Sequence, residues 1–276
     1  MTRSPDLEPL NGSELPADDL TPGQGEPNPE DIHADDLLPG EVEMSLWDHL
    51  EELRQRIFVV LATAAIAIIL CFTQVRGIIT LLEQPAHGAK FLQLGPGEYF
   101  FVSCKAAAYC GLLLTMPMVL YQGIRFVLPG LTRRERQLLG PAVFGSSLLF
   151  VLGIGFAYSL LAPAALGFFI SYGADVVEQL WSIDRYFDFI LLLLLVTGLA
   201  FQVPILQLIL ISLNIVSIEQ MLSQWRYVII IAVALAAVLT PSIDPITQGL
   251  LAGALISLYF SGIGLGHLLP RPRQNS

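Results

Sequence analysis

Beyond residue 56 the chain alternates between long runs without charge and short stretches where charges gather. Residues 57–75 and 106–124 are charge-free runs of 19, residues 137–174 a run of 38, and residues 189–218 a run of 30. About 20 predominantly apolar residues make a helix that crosses a bilayer. These runs predict spans at 57–75, at 106–124 with Tyr99-Phe-Phe-Val102 as a backward extension, at about 140–161, and at about 187–212. Pro163 is expected to divide the third run, because an interior proline removes a helical hydrogen bond and clashes with the preceding turn. Residues 227–239 and 246–265 predict two further, short spans around a turn-rich break. Short helices require local bilayer thinning or cover from neighbours. The count is therefore six; the alternative is five, with 227–265 crossing once around a re-entrant kink. Ahead of the first run, Ser45-Leu-Trp-Asp48 has capping-box spacing. Leu46, Trp47, Leu50, Leu53 and Ile57 then recur every three to four residues, which predicts an amphipathic surface helix continuing into the first span.

Composition supports this reading. The 276 residues are 54% hydrophobic and 14% charged, where a soluble domain is nearer one quarter charged. The net charge of −10 is concentrated: residues 1–43 hold twelve acids and one base, together with seven prolines and four glycines. That composition predicts a disordered acidic tail over 1–43, before a membrane domain over 44–266 and a short tail over 267–276. The tail lacks the basic-then-apolar order of a secretory signal. Six spans put both termini on one side. Nine bases (Arg54, Arg56, Arg125, Arg133, Arg134, Arg136, Arg226, Arg271 and Arg273) share that side, against Arg76, Lys90, Lys105 and Arg185 on the other. The positive-inside rule then makes the termini cytoplasmic.

Several chemistries are excluded. No charged residue falls in the middle of a span, so no proton relay is visible. There is no P-loop motif, and Ser146-Ser147 has no histidine in a neighbouring span to activate it. Cys71, Cys104 and Cys110 and the four histidines show no metal-ligand or disulfide spacing, so no metal and no cofactor are expected. No basic face suggests nucleic acid. The polar groups at depth are amides and hydroxyls, among them Gln202 beside the helix-bending Pro204, and such groups commonly join helices. On the basic side a few acids remain: Glu51 and Glu52 on the first helix, and Glu135 among arginines. Glu52 and Arg56 have ion-pair spacing on a helix.

His49-Leu-Glu-Glu-Leu-Arg-Gln-Arg56 resembles the H-L-x-E-L-R-x-R motif of the TatC family, the multispanning core of the twin-arginine protein translocase. The resemblance continues through Pro117-Met-Val-Leu-Tyr-Gln122, Phe126-Val-Leu-Pro-Gly-Leu131, Arg134-Glu-Arg136, Phe201-Gln-Val-Pro204 and Thr240-Pro-Ser-Ile-Asp-Pro-Ile-Thr-Gln248, covering roughly residues 44–265. It implies an all-α, six-span bundle without catalytic residues. It further implies a receptor for paired-arginine signal peptides of folded cargo, which recruits TatA/TatB-type single-span partners, self-associates in a receptor complex and draws on the proton-motive force. Glu52 and Glu135 would receive the signal arginines, since carboxylates pair with guanidinium groups bidentately. Arg54, Arg56, Arg134 and Arg136 would support them, and Phe126 matches an aromatic near the site. Gln202 and Pro204 would mark a partner-helix docking position. Pro85, Asp244 and Gln248 match external-loop positions. Many bacterial members have glutamate at position 202; glutamine there removes any acid–base role and looks more cyanobacterial or plastid-like. The expected location is the bacterial plasma membrane or the thylakoid membrane. The alternative function is a small-solute secondary transporter, which internal inverted repeats would favour.

Overall fold

The structure, a computed structural model, describes residues 46–86, 91–127, 139–173, 180–213, 215–239 and 244–267. The acidic tail, the Ser45 cap, residues 133–136 with Glu135, residues 240–243 of the turn-rich break and almost all of the C-terminal tail lie outside these residues. The described chain is predominantly helical. Helix α1 spans Leu46–Thr73, α2 Val75–Glu83, α3 Glu98–Val127, α4 Leu139–Phe156, α5 Ala162–Gly173, α6 Ile183–Ala200, α7 Val203–Ser212, α8 Ile218–Ser223, α9 Trp225–Leu239 and α10 Pro245–His267. Two-residue strands β1 (Phe91–Leu92) and β2 (Trp181–Ser182) pair in parallel, Phe91 opposite Trp181.

Five helical stretches among the described residues are long and apolar enough to cross a membrane: His49–Thr73, Glu98–Phe126, Gly140–Tyr172, Ile183–Ser212 and Pro245–His267. The expected fifth span is α9, a shorter apolar helix of 15 residues.

Two expectations are corrected, at Pro163 and at the end of the first span, and two others gain detail. The helix does not end near Pro163: α4 and α5 join through a π-helical turn at Ala157–Leu161. That wider turn accommodates the missing proline donor without breaking the helix. The first span stops at Thr73 and the chain turns at Gln74 into α2, whose Ile79 and Leu82 are buried. Helix α3 begins at Glu98, after the positive-φ Gly97, and runs 30 residues. The fourth span is interrupted at Phe201–Gln202, because Pro204 in the first turn of α7 has no N–H to continue the α6 ladder.

Packing relies on close backbone approach. Ala106, Ala157, Ala162 and Ala165 are fully buried, with Phe150, Phe187, Ile190 and Leu191 filling the space between α3, α4 and α6. Small residues let membrane helices meet where the hydrophobic effect cannot drive them together. At Gly111 a Cβ would lie 2.7 Å from the Ile68 backbone, so α1 and α3 cross there nearly in contact. Large apolar side chains such as Ile69, Leu114, Phe144 and Val238 point outward, as a lipid-facing surface requires.

At the end of the bundle that holds β1 and β2, α2 runs into a buried 3-10 turn containing Pro85. Tyr186 on α6 donates to the Leu82 carbonyl, and Tyr158 donates to the Leu81 carbonyl at 2.8 Å. Ser182 caps α6 and donates to Glu98 Oε1 at 3.1 Å. These contacts fix α2, α3 and α6 to one another.

Candidate functional site

At the opposite end of α3, the first turns of α1 carry the motif acids. Their i,i+4 spacing places Glu52 and Arg56 on one face of α1. Arg56 donates to Glu52 Oε1 through Nη2 and, at 3.1 Å, through Nε. Its Nη1 donates to Gln122 Oε1 on α3, also at 3.1 Å. Arg56 is thus held by two helices and occupies one oxygen of Glu52. The other oxygen, Oε2, is buried and has no hydrogen-bond partner among the described residues. His49, one turn earlier, places Nδ1 4.0 Å from Oε2, beyond hydrogen-bond range. The His49 ring lies against Phe126 of α3, with centroids 4.2 Å apart and planes inclined by 18°.

The structure therefore brings Glu52, Arg56 and Phe126 into one cluster. Arg54 is not part of it: it pairs with Glu51 along the exposed side of α1. Glu135, Arg134 and Arg136 lie outside the described residues. His49 and Gln122 belong to the cluster although the sequence reading gave them no role. Both fall within quoted motifs, but their contacts cross between helices and leave no periodic mark.

Gln202 sits elsewhere, at the break between α6 and α7. It is half-buried and satisfied within the chain: Ser146 Oγ donates to its Oε1 at 2.5 Å, and its Nε2 donates to the Ser146 carbonyl at 3.2 Å. Pro204 is buried, and its Cα lies 3.0 Å from where a Cβ on Gly262 would be. Gln207, on the same helix, is buried, and neither amide atom has a hydrogen-bond partner among the described residues.

Two positions matched to external loops prove to be buried in ordered turns. Pro85 lies in the 3-10 turn after α2. Asp244 is fully buried and caps α10, accepting from the Thr247 N–H at 2.7 Å. Asp before Pro is a favourable start for a helix, since the carboxylate accepts a free N–H and proline lacks one. Gln248 is half-buried in the first turns of α10 and donates its backbone N–H to the Asp244 carbonyl at 3.1 Å. Among the described residues no group of histidine, cysteine and acidic side chains is placed to hold a metal ion.

The cluster at the start of α1 can act as an acceptor for a cationic donor. It offers a carboxylate with one oxygen held and one unserved, on a scaffold fixed by an interhelical arginine.

Most of the chain matches known proteins. Residues 48–253 match the family model described as Sec-independent protein translocase protein (TatC). A Synechocystis protein named Sec-independent protein translocase protein TatC is 62% identical over 229 residues, covering 83% of this chain and 90% of the relative. The chloroplastic TATC of Arabidopsis thaliana is 55% identical over 231 residues, covering 83% of this chain and 68% of the relative. A crystal structure of the twin-arginine translocase receptor TatC superposes with a TM-score of 0.69 at 32% identity, covering 80% of this chain and 98% of that one. The chain belongs to the TatC family of Sec-independent protein translocase proteins.

Proposed function

We propose that this chain is the receptor and scaffold of a twin-arginine translocase, binding the paired arginines of signal peptides on folded cargo. The observation that carries the reading is Glu52: a carboxylate whose Oε2 is buried without a hydrogen-bond partner among the described residues, while Arg56, itself held by Gln122, bonds its other oxygen. A buried acceptor without a donor is costly, and an incoming guanidinium relieves that cost. Glu135 supplies the second carboxylate, with Arg134 and Arg136 orienting it as Arg56 orients Glu52. Family membership supports the wider role: recruitment of TatA/TatB-type single-span partners, self-association, and export driven by the proton-motive force.

The proposed topology has six crossings, with α9 as the fifth and both termini cytoplasmic. Nine bases on the terminal side against four on the other support it. At 15 residues, α9 spans only ~22 Å, so it crosses where its neighbour α10 shields it. The membrane is a bacterial plasma or thylakoid membrane. Partner helices dock near Gln202 and Pro204, where a polar side chain from the partner can replace Ser146 on the half-buried amide.

The test is binding of a labelled twin-arginine signal peptide, and of its twin-lysine version, to membranes containing the full chain. Glu52→Gln and Glu135→Gln should each weaken twin-arginine binding. Retention of wild-type binding by both variants overturns the pocket. Photocrosslinking from position 202 should capture a small single-span protein during active export, and adducts confined to this chain would remove the docking assignment.

A further inference from the structure

Side-chain exposure in the α1 cluster rises outward, from 15% at Arg56 to 24% at Glu52 and 39% at His49. A donor arriving from water therefore meets His49 before it reaches Glu52. One face of the imidazole is covered by Phe126, stacked at 4.2 Å, so the ring's exposure comes from its other face and its edge. That edge points Nδ1 toward Glu52 Oε2 across 4.0 Å without bonding it. Oε2 itself is buried, and the partly exposed group beside it is an aromatic surface backed by a second ring. A planar guanidinium can donate to Oε2 and lie against this surface at the same time. An ammonium is a compact, strongly hydrated point charge that reaches the oxygen but gains little from stacking.

We propose that His49 is a specificity-determining residue, the aromatic surface by which the Glu52 acceptor selects a guanidinium over an ammonium. The inference rests on the reading of Glu52 as the acceptor of a signal arginine. It adds a reason for arginine rather than charge alone, which Glu52 by itself does not supply.

The experiment measures affinities of fluorescent twin-arginine and twin-lysine signal peptides for the full-length chain in membranes, as wild type, His49→Ala, His49→Phe and His49→Asn. Stacking of a cation on an aromatic ring supports a ratio change of about five-fold. His49→Ala and His49→Asn should narrow the arginine-to-lysine ratio by about that factor, through weaker twin-arginine binding. His49→Phe should keep the wild-type ratio. If His49→Ala fails to fold, the contrast between His49→Phe and His49→Asn decides the matter. A purely structural role would weaken both peptides equally and leave the ratio unchanged, which overturns the proposal. A ratio lost in His49→Phe as well would assign selection to the imidazole nitrogens and overturn the stacking mechanism. A wild-type chain with no arginine preference would instead bring down the acceptor reading itself.

Discussion

Helix α3 carries a polar cluster near each end, and the two are built in opposite senses. Near its start, Lys105 Nζ donates to Asp184 Oδ1 and to Asp188 Oδ1, both at 2.7 Å, across to successive turns of α6. Near its other end, Gln122 holds Arg56, and Arg56 serves one oxygen of Glu52 while the second oxygen has no donor among the described residues. The first arrangement surrounds a cation with acceptors and joins two helices. The second leaves an acceptor open, although each nitrogen of its guanidinium makes a hydrogen bond. On the proposed function the difference separates a staple from a receptor: ion pairs that close on themselves hold helices together, whereas one that stays a donor short can take a ligand. In the proposed topology the staple faces outward and the open acceptor faces the cytoplasm.

Midway between the clusters, Gly111 offers the most forceful way to break this comparison. Any side chain there meets the Ile68 backbone at 2.7 Å, so Gly111→Leu must push α1 from α3. Overpacking of this kind costs roughly 1–3 kcal/mol, with the bulk of leucine favouring the upper end. Thermal unfolding in detergent should show the loss. Signal-peptide binding should fall with it, because Arg56 and Gln122 lie on the two separated helices, while the Lys105 staple to α6 survives. An unshifted unfolding temperature would contradict the close crossing.

The clusters themselves should divide stability from binding. Lys105→Met leaves Asp184 and Asp188 facing each other one turn apart. Because all three side chains are 31–47% exposed, solvent screening limits the cost to about 1–2 kcal/mol. Adding Asp184→Asn and Asp188→Asn should recover most of it, and signal binding should not change. Glu52→Gln should do the reverse, lowering signal affinity by about 1–3 kcal/mol with a smaller effect on stability, because the amide oxygen can still accept from Arg56. Paired denaturation and peptide-binding measurements check both. A Lys105 variant that loses binding without losing stability would erase the distinction between staple and receptor.

What could be read in the sequence follows from the range of each interaction. The charge-free runs disclosed the long helices because lipid imposes a length and a composition together. Glu52–Arg56 was legible because both lie on one helix face. Arg56–Gln122 and His49–Phe126 were not, since they depend on how α1 crosses α3, which Gly111 sets. Gln202 and Ser146 were each visible as polar residues at depth, yet their pairing is fixed by the approach of α4 to the α6–α7 break. The nine-residue α2 was too short to stand out after the first span. The π-helical turn before Pro163 is a backbone adjustment for which no residue type is a marker.

The smallest expected effect concerns Glu83, which ends α2 on the same side as the Lys105 staple. Glu83 is half-buried, and loss of hydration pushes its carboxyl above its ordinary value of 4.5. The folded chain therefore favours the neutral form more than the unfolded chain does. The resulting stabilisation is fully present below the unfolded value near 4.5 and is lost as pH rises through the higher folded value. Acidification toward that window should firm this end of the molecule. Glu83→Gln imitates the neutral form at every pH. It should unfold at a slightly higher temperature than wild type at pH 7.5, and the gap should close as pH falls toward 4.5. Parallel unfolding curves across that range would mean that Glu83 is as well hydrated in the fold as in the unfolded chain. This end of the bundle would then be set by the staple and the tyrosine contacts.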